Sequence, residues 1–294
     1  MAELNKPLTT RIIPHQFLKQ LFLVGHVPQR ALTSDPRLSY SLYVPQEHYP
    51  KNSEQKLPLL VHVHGTSRDL SPVRRELVAF ADSMPCAILA PLFPANLEGP
   101  TDFNSYKDLR TNSLRSDLAL ISMLDEVAFT WPGIETSKIH LMGFSAGGQF
   151  AHRFLYLYPE HLASVSVGSP GQATPLDYQK NWPKGVADVE SIFNKTVREE
   201  LIKEVAIQLV IGADDVIGHG SSEFRQWARK MTTALAGKEA PASIQADVSD
   251  SSLEVGNRVD TIKRLHTSWK ELEIEARLDI VDGVAHKSAG AARE

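Results

Sequence analysis

The stretch KIHLMGFSAGGQFAHRFL, residues 138–155, decides the fold expected for this chain. Its first part, residues 138–142, is short, apolar and strand-like, and the part from Ala146 to Leu157 has helical spacing. Between them lies Gly143-Phe144-Ser145-Ala146-Gly147, a G-x-S-x-G motif at the point where a strand would turn sharply into a helix. This context is far more specific than the five-residue motif alone. A glycine-rich turn with an incidental serine is the alternative.

The two motif glycines have a physical role in such a turn. A serine at a strained strand-to-helix turn presents its hydroxyl above the edge of a sheet. Gly143 and Gly147 remove the side chains that would collide as the helix packs closely on the strand. The motif therefore predicts that Ser145 is an exposed nucleophile.

Strand-like and helix-like segments alternate from about residue 37 onward, which is typical of a mostly parallel sheet with crossover helices. The other predicted strands are residues 38–44, 57–63, 86–90, 163–167, 206–211 and 273–281. The other predicted helices are residues 71–84, 114–129, 221–235 and 257–272. In the helix at 114–129 the expected buried stripe comprises Leu118, Ile121, Leu124, Val127 and Ala128.

The length of 294 residues suits a single α/β domain that spans the whole chain. Residues 1–36 are interpreted as an N-terminal extension. Residues 170–203 contain scattered prolines and interrupt the alternation, which predicts a small lid or cap between two strands. Residues 237–254, rich in Ala, Ser, Pro and Asp, are predicted to form a mobile surface loop.

Composition excludes several classes of function. The net charge of −4, without a cluster of Lys and Arg, argues against a nucleic-acid partner. A single cysteine, Cys86, rules out an intramolecular disulfide and fits a reducing compartment. The apolar stretch at 17–24 is broken by Lys19 and Gln20, so neither a signal peptide nor a membrane span is expected. We therefore expect a cytoplasmic location.

The sequence resembles the α/β-hydrolase superfamily, and is most similar to its serine esterase branch of polyhydroxybutyrate-depolymerase-like and feruloyl-esterase-like proteins. The matching features are Asp117 in a helix, then Lys138-Ile139, then GFSAGG, with LLVHVHGTS further upstream. The resemblance covers about residues 37–287 and is weak over the lid and the 237–254 loop. It implies an α/β-hydrolase fold with a mostly parallel central sheet, flanking helices and a small lid insertion.

In this family an acid and a histidine follow the serine, each at the carboxyl end of a later strand. The sequence Gly212-Ala213-Asp214-Asp215 follows a predicted strand, and the family's G-x-x-D form selects Asp215 over Asp214. A turn or helix-capping carboxylate is the alternative for both.

Three histidines follow the acid in the chain: His219, His266 and His286. His219 lies only four residues beyond Asp215, and His266 falls within a predicted helix. His286 follows the last predicted strand in a G-x-x-H loop like that of the family. We therefore expect His286 to be the general base, with Asp215 holding its tautomer.

The resemblance also implies where an oxyanion would bind. One donor would be the backbone N–H of Ala146, and the other that of Thr66, with Ser67 as the second choice. His64, which precedes the nucleophile in the chain, is interpreted as structural. Ser67, Trp182 and Phe193 are candidate substrate-binding residues, although the two lid aromatics could instead anchor the lid.

Other chemistry-bearing residues are interpreted as structural. His62 and His140 are expected to be hydrogen-bonded sheet histidines without metal-ligand spacing, and Cys86 a buried, inert thiol.

The reaction expected is hydrolysis of a carboxylic ester through an acyl-enzyme on Ser145, with no cofactor and no metal. The substrate would be a small-molecule ester or lactone, and the oligomeric state is left open. One alternative is a tailoring hydrolase that opens a lactone or thioester of a small metabolite. Another is a catalytically silent hydrolase fold that serves as a binding module.

Overall fold

Eight strands form one sheet in the order β1-β2-β4-β3-β5-β6-β7-β8. This computed structural model describes residues 8–50, 55–99, 102, 104–216 and 257–286. The strands are β1 Gly25–Ala31, β2 Ser39–Val44, β3 Leu59–Val63, β4 Ala87–Leu92, β5 Ile139–Phe144, β6 Leu162–Gly168, β7 Ala206–Gly212 and β8 Arg277–Val281. Strands β1 and β2 run antiparallel to their neighbours, and all the other pairs are parallel.

Six α-helices lie within the described residues. They are α1 Val78–Ser83, α2 Ser116–Thr130, α3 Ala146–Leu157, α4 Val189–Phe193, α5 Glu199–Ile202 and α6 Arg258–Glu271. One π-helical turn, Val73–Leu77, leads directly into α1. Short 3-10 turns occur at Thr10–Ile12, His15–Phe17, Ser105–Asp108 and Pro159–His161. No helix in the described part of the chain is long and apolar enough to cross a membrane.

Parallel pairing brings the carboxyl ends of several strands to one edge of the sheet. Val63 at the end of β3 is in register with Gly143 of β5, and Phe144 with Gly168 of β6. At the far side, Gly212 of β7 is in register with Val281 of β8. The loops that follow these strands therefore emerge next to one another, where open α/β sheets place their ligand sites.

The edge strand β1 was not expected from the sequence, which assigned its residues to an N-terminal extension. It pairs with β2, and the register shifts between Val27 and Arg30, beside Pro28. Of its seven residues only Val27 is buried. An edge strand with a proline and one exposed face lacks the alternation of apolar residues that identifies a strand in sequence.

The buried face of α2 also differs from the expected stripe. Leu124 and Val127 are buried as predicted, but Leu118 is 44% exposed, and Leu120 and Met123 are buried instead. Both stripes contain Leu124 and Val127 and are apolar at helical spacing, so periodicity alone could not choose between them. The packing of α2 against the sheet determines which face is buried.

The last strand is shorter than expected. It begins at Arg277 rather than at residue 273, because the turn that closes α6 after Glu271 occupies residues 272–274. The N–H of Ile274 bonds to the carbonyl of Trp269, and Glu273 has a left-handed backbone. The predicted helix at 221–235, the predicted loop at 237–254 and His219 lie outside the described residues.

Candidate active site

Ser145 lies at the junction of β5 and α3 in a strained backbone conformation, with φ 57° and ψ −114°. A non-glycine residue in this region costs free energy and persists only where its surroundings enforce it. The Ser145 N–H donates to the carbonyl of Gly168 at 2.8 Å, and the Ser145 carbonyl accepts from the Gln149 N–H at 3.1 Å. These two bonds fix the turn between β6 on one side and α3 on the other.

Close approach of backbone to backbone explains the two motif glycines. A Cβ on Gly143 would overlap the backbone of Gly147, and a Cβ on Gly147 would overlap the carbonyl of Val63. All twelve residues of α3 are buried. The helix therefore lies directly against β3 and β5, and a side chain at either glycine would force it away from the sheet.

A continuous series of hydrogen bonds joins Ser145, His286 and Asp215. The Nε2 atom of His286 lies 3.2 Å from the Ser145 Oγ, and its Nδ1 lies 2.7 Å from an Asp215 carboxylate oxygen. Because an ionised carboxylate only accepts, Nδ1 carries the proton and Nε2 is left to accept from the serine hydroxyl. The Asp215 side chain is fully buried and that of His286 is 29% exposed. The structure thus brings together three side chains from three separate strand ends.

The neighbouring carboxylate, Asp214, is exposed, in contrast to the buried Asp215. Its backbone N–H bonds to the carbonyl of Val284 at 2.9 Å, and that of Ala213 bonds to Val281 at 2.8 Å. These bonds tie the loop after β7 to the loop after β8, which carries His286. These backbone hydrogen bonds therefore fix the positions of Asp215 and His286 relative to each other.

Arg258, the first residue of α6, forms an ion pair with Asp215 that the sequence analysis did not anticipate. Its Nη1 lies 2.9 Å from the Asp215 Oδ1, the oxygen that His286 does not contact. Arg258 is only 5% exposed. The pair spans 43 residues of sequence and no motif marks the arginine, so no sequence signal could have found it.

The loop after β3 passes directly beside the turn at Ser145. A Cβ on Gly65 would lie 4.0 Å from the Ser145 Cβ and 3.6 Å from the Phe144 carbonyl oxygen. Thr66 is half-buried, Ser67 is exposed, and the Thr66 carbonyl accepts from Arg68 at 2.7 Å. The backbone amides of this loop are thus near the start of α3, whose first turn begins with Ala146.

His64 is buried beneath this loop and is fully hydrogen-bonded. Its Nδ1–H donates to the Gly65 carbonyl at 2.9 Å, and its Nε2 accepts from the Phe93 N–H at 3.1 Å. Burial lowers the pKa of His64 to about 4, so the ring is neutral at pH 7. The Tyr106 hydroxyl donates to the His64 carbonyl at 2.9 Å. His64 holds the loop in place and does not contact the Ser145–His286–Asp215 series.

The segment at 170–203 lies between β6 and β7 and contains α4 and α5. Trp182 donates its indole N–H to the Asp108 carbonyl at 2.8 Å, and its ring meets Phe193 edge-on at 5.0 Å. Phe193 is 4% exposed and lies under the guanidinium of Arg115. These contacts favour the anchoring alternative for both aromatics over a role in substrate binding.

Two buried residues of α3 hold the start of this segment. Arg153 bonds to the Asp108 carboxylate at 2.7 Å and to the Thr174 hydroxyl at 2.9 Å. His152 accepts from the Thr174 N–H at 3.0 Å, and burial lowers its pKa to about 3. The helix that follows Ser145 is therefore also the platform for the inserted segment.

The remaining candidates lie away from this cluster. His140 contacts the Ser164 hydroxyl at 2.8 Å, and His266 the Ala276 carbonyl at 3.0 Å. The prediction that His62 is hydrogen-bonded is wrong at one ring atom: its buried Nδ1 has no hydrogen-bond partner among the described residues. Burial raises the pKa of the Cys86 thiol to about 11. The described residues contain no group of three His, Cys, Asp or Glu side chains able to hold a metal.

No model of a known protein family matches this sequence, and no curated protein matches it. Solved structures do match. Poly(aspartic acid) hydrolase-1 from Sphingomonas sp. KT-1 is 17% identical, with a TM-score of 0.56 over 85% of this chain and 88% of that one.

Two further solved structures are similar over the same share of this chain. The poly(3-hydroxybutyrate) depolymerase from Bordetella parapertussis is 17% identical, with a TM-score of 0.54 over 85% of this chain and 78% of that one. A ferulic acid esterase is 14% identical, with a TM-score of 0.52 over 85% and 86%. Together with the strand order and the Ser145 turn, these matches show that the chain has the α/β-hydrolase fold.

Proposed function

We propose that this protein is a serine esterase that hydrolyses carboxylic esters through an acyl-enzyme intermediate. The observation that carries the proposal is the hydrogen-bonded series Ser145–His286–Asp215, placed on a strained turn. A serine hydroxyl is a weak nucleophile at neutral pH, and an adjacent base oriented by a third group is the arrangement that activates it. Solved structures of the same fold that are named as an esterase and a depolymerase support this class of reaction.

In the first half-reaction, the Ser145 Oγ attacks the ester carbonyl carbon while its proton passes to the His286 Nε2. The carbonyl oxygen becomes an oxyanion in a tetrahedral intermediate. The protonated His286 then donates its proton to the leaving alkoxide oxygen, and the C–O bond breaks. Asp215 stabilises the imidazolium and fixes the tautomer throughout. Ser145 is left acylated.

In the second half-reaction, a water molecule takes the place of the alcohol. His286 accepts a proton from this water, whose oxygen attacks the acyl carbon. Collapse of the second tetrahedral intermediate returns the proton to the Ser145 Oγ and releases the acid. The 29% exposure of the His286 side chain supports access for this water.

Two backbone amides are the candidates to stabilise the oxyanion. The Ala146 N–H lies at the amino terminus of α3, where N–H groups have no partner within the helix and the helix dipole favours negative charge. The Thr66 N–H, with Ser67 as the second choice, belongs to the loop that passes beside Ser145 at Gly65. A donor of this kind is worth about 3–4 kcal/mol of transition-state stabilisation.

The test uses a fluorophosphonate probe and p-nitrophenyl esters of increasing chain length. The wild-type protein should become labelled at Ser145 and lose its esterase activity in parallel. The Ser145→Ala variant should neither label nor turn over, whereas the surface variant Ser137→Ala should do both. Normal hydrolysis of these esters by the Ser145→Ala variant would overturn the proposal. Absence of labelling in the wild type would point instead to the binding-module alternative.

The Ser145–His286–Asp215 series does not by itself determine which leaving group the substrate carries. Esters, lactones and thioesters all pass through a tetrahedral intermediate. A panel of lactones and thioesters, measured beside the p-nitrophenyl esters, would rank them by kcat/KM. A lactone or thioester turned over at least tenfold better than every ester would replace ester hydrolysis with the tailoring-hydrolase alternative.

A further inference from the structure

The carboxylate of Asp215 is divided between two partners. One oxygen, Oδ2, contacts the His286 Nδ1 at 2.7 Å, and the other, Oδ1, contacts the Arg258 Nη1 at 2.9 Å. The Asp215 side chain is fully buried and that of Arg258 is 7% exposed. The guanidinium and the imidazole therefore bind different oxygens of the same buried carboxylate.

A buried carboxylate needs a compensating charge if it is to remain ionised. His286 does not supply one in the resting site, because a ring that accepts from the Ser145 hydroxyl must be neutral. Arg258 is a permanent cation. Among the described residues, its guanidinium is the permanent cation in contact with the Asp215 carboxylate.

We propose that Arg258 is a positioning residue for the acid of the site, and that its charge extends activity to lower pH. This inference rests on the proposed serine hydrolase function. By holding Oδ1, the guanidinium aims Oδ2 at the His286 Nδ1–H. By adding a positive charge beside the Asp215–His286 pair, it opposes the uptake of the extra proton that would inactivate the pair.

The direction of the pH effect follows from charge. Below a certain pH the pair gains a proton, Nε2 can no longer accept from Ser145, and activity falls. A nearby cation disfavours protonation of the Asp215–His286 pair, whichever of the two groups binds the proton. Removing the cation therefore moves the acidic limb of the activity profile to higher pH. Among the described residues, the other charged side chains on these loops and on the first turn of α6 are Asp214, Asp282 and Asp260, which are exposed and screened by solvent.

The experiment compares Arg258→Gln, which removes the charge, with Arg258→Lys, which keeps it. Arg264→Gln, an exposed position on the same helix, is the matched control for loss of a charge. The profile of kcat/KM against pH is measured on p-nitrophenyl acetate, with melting temperature recorded for each variant.

In Arg258→Gln the midpoint of the acidic limb should rise by about 1 pH unit or more, the size of effect that an adjacent arginine has on a carboxylate. In Arg258→Lys the midpoint should stay within a few tenths of a unit of the wild type while kcat falls several-fold, since the ammonium lacks the guanidinium fork. Arg264→Gln should match the wild type in both respects. A role in packing alone would lower the melting temperature without moving the midpoint.

An unmoved midpoint in an active Arg258→Gln variant would overturn the inference. So would a rise in Arg258→Lys equal to that in Arg258→Gln, and if Arg258→Gln does not fold, a rise of more than half a unit in the lysine variant suffices. Failure of the underlying function looks different, because the wild-type protein itself would then show no labelling at Ser145.

Discussion

Gly212, the last residue of β7, lies so close to Val284 that a Cβ on the glycine would overlap the Val284 carbonyl group. That carbonyl also accepts from the Asp214 N–H at 2.9 Å. Val284 stands two residues before His286, and Gly212 three residues before Asp215. The contact of acid with histidine therefore depends on a backbone approach that only glycine permits at this position.

We predict that Gly212→Ala will impair activity more than stability. The added methyl group must displace the loop that carries His286, and a displacement of about 1 Å at a reacting group can cost about a hundredfold in rate. The measurement is kcat/KM on a p-nitrophenyl ester, normalised to folded protein, beside the melting temperature. Gly133→Ala is the control, because its methyl group would crowd Tyr49 and Pro50 away from the site. It should lower the melting temperature and leave the normalised rate unchanged. Equal rate losses in both variants would contradict the prediction.

A second prediction separates the two adjacent carboxylates. Asp215→Asn should lower kcat by about 10⁴-fold, because the amide no longer enforces the tautomer with its proton on the His286 Nδ1. Asp214→Asn should change kcat less than threefold, since its carboxylate is exposed and its structural bond is made by the backbone N–H. Steady-state kinetics on both variants would decide. Losses of equal size would mean that the contact seen at Asp215 is not the one used in catalysis.

A third prediction concerns the two aromatics of the segment at 170–203. Phe193 is 4% exposed and Trp182 is hydrogen-bonded to Asp108, so both should act as anchors. Phe193→Ala should lower the free energy of unfolding by about 3–5 kcal/mol, as expected for a buried aromatic. Trp182→Ala should also lower the melting temperature, and neither change should alter the ranking of ester chain lengths. Tyr178→Ala, an exposed aromatic in the same segment, should leave stability nearly unchanged. A changed chain-length preference with an unchanged melting temperature would reassign these residues to the substrate pocket.

A fourth prediction concerns acid stability. Burial lowers the pKa of His62 and of His64 to about 4 and that of His152 to about 3. Each group is neutral in the folded state, whereas the unfolded chain binds a proton near pH 6.5. The free energy of unfolding is therefore not reduced by these histidines above that pH, and it falls as the pH drops below it. At pH 5 the loss is about 2 kcal/mol per histidine.

His62 offers the clearest test, because its Nδ1 has no hydrogen-bond partner among the described residues. In His62→Leu the loss of unfolding free energy between pH 7 and pH 5 should be smaller than in the wild type by about 2 kcal/mol. Urea denaturation at the two pH values gives this difference, with the exposed His48→Gln as the control. A variant that loses as much stability as the wild type would show that His62 is not neutral in the folded protein.

Local pattern was enough to predict the part of the site that is continuous in sequence. The turn at Ser145 lies between a strand and a helix that were both expected, and α3 has the predicted bounds of Ala146–Leu157. Such a turn can be predicted from sequence because strand, motif and helix follow one another directly in the chain, and Gly143 is required by a contact only four residues away, with Gly147. The α/β class of the fold could likewise be predicted, since alternation of strand and helix is a local property.

Other features required the tertiary structure because their causes lie far apart in the chain. The strand β1 has an exposed face and a proline, so only its pairing with β2 reveals it. The buried face of α2 was chosen by the sheet beneath it, where two apolar stripes were equally periodic.

The same holds for the setting of the candidate site. A choice between Asp214 and Asp215 could be made from a motif, but the burial of Asp215 and its ion pair with Arg258 could not. That pair joins residues 43 positions apart through the docking of α6 against the end of β7. Sequence by itself determined which residue types stand at the strand ends, because strand, turn and helix propensities act locally. Only the tertiary structure decided which charge lies behind the acid, because electrostatic partners are chosen by packing and not by spacing along the chain.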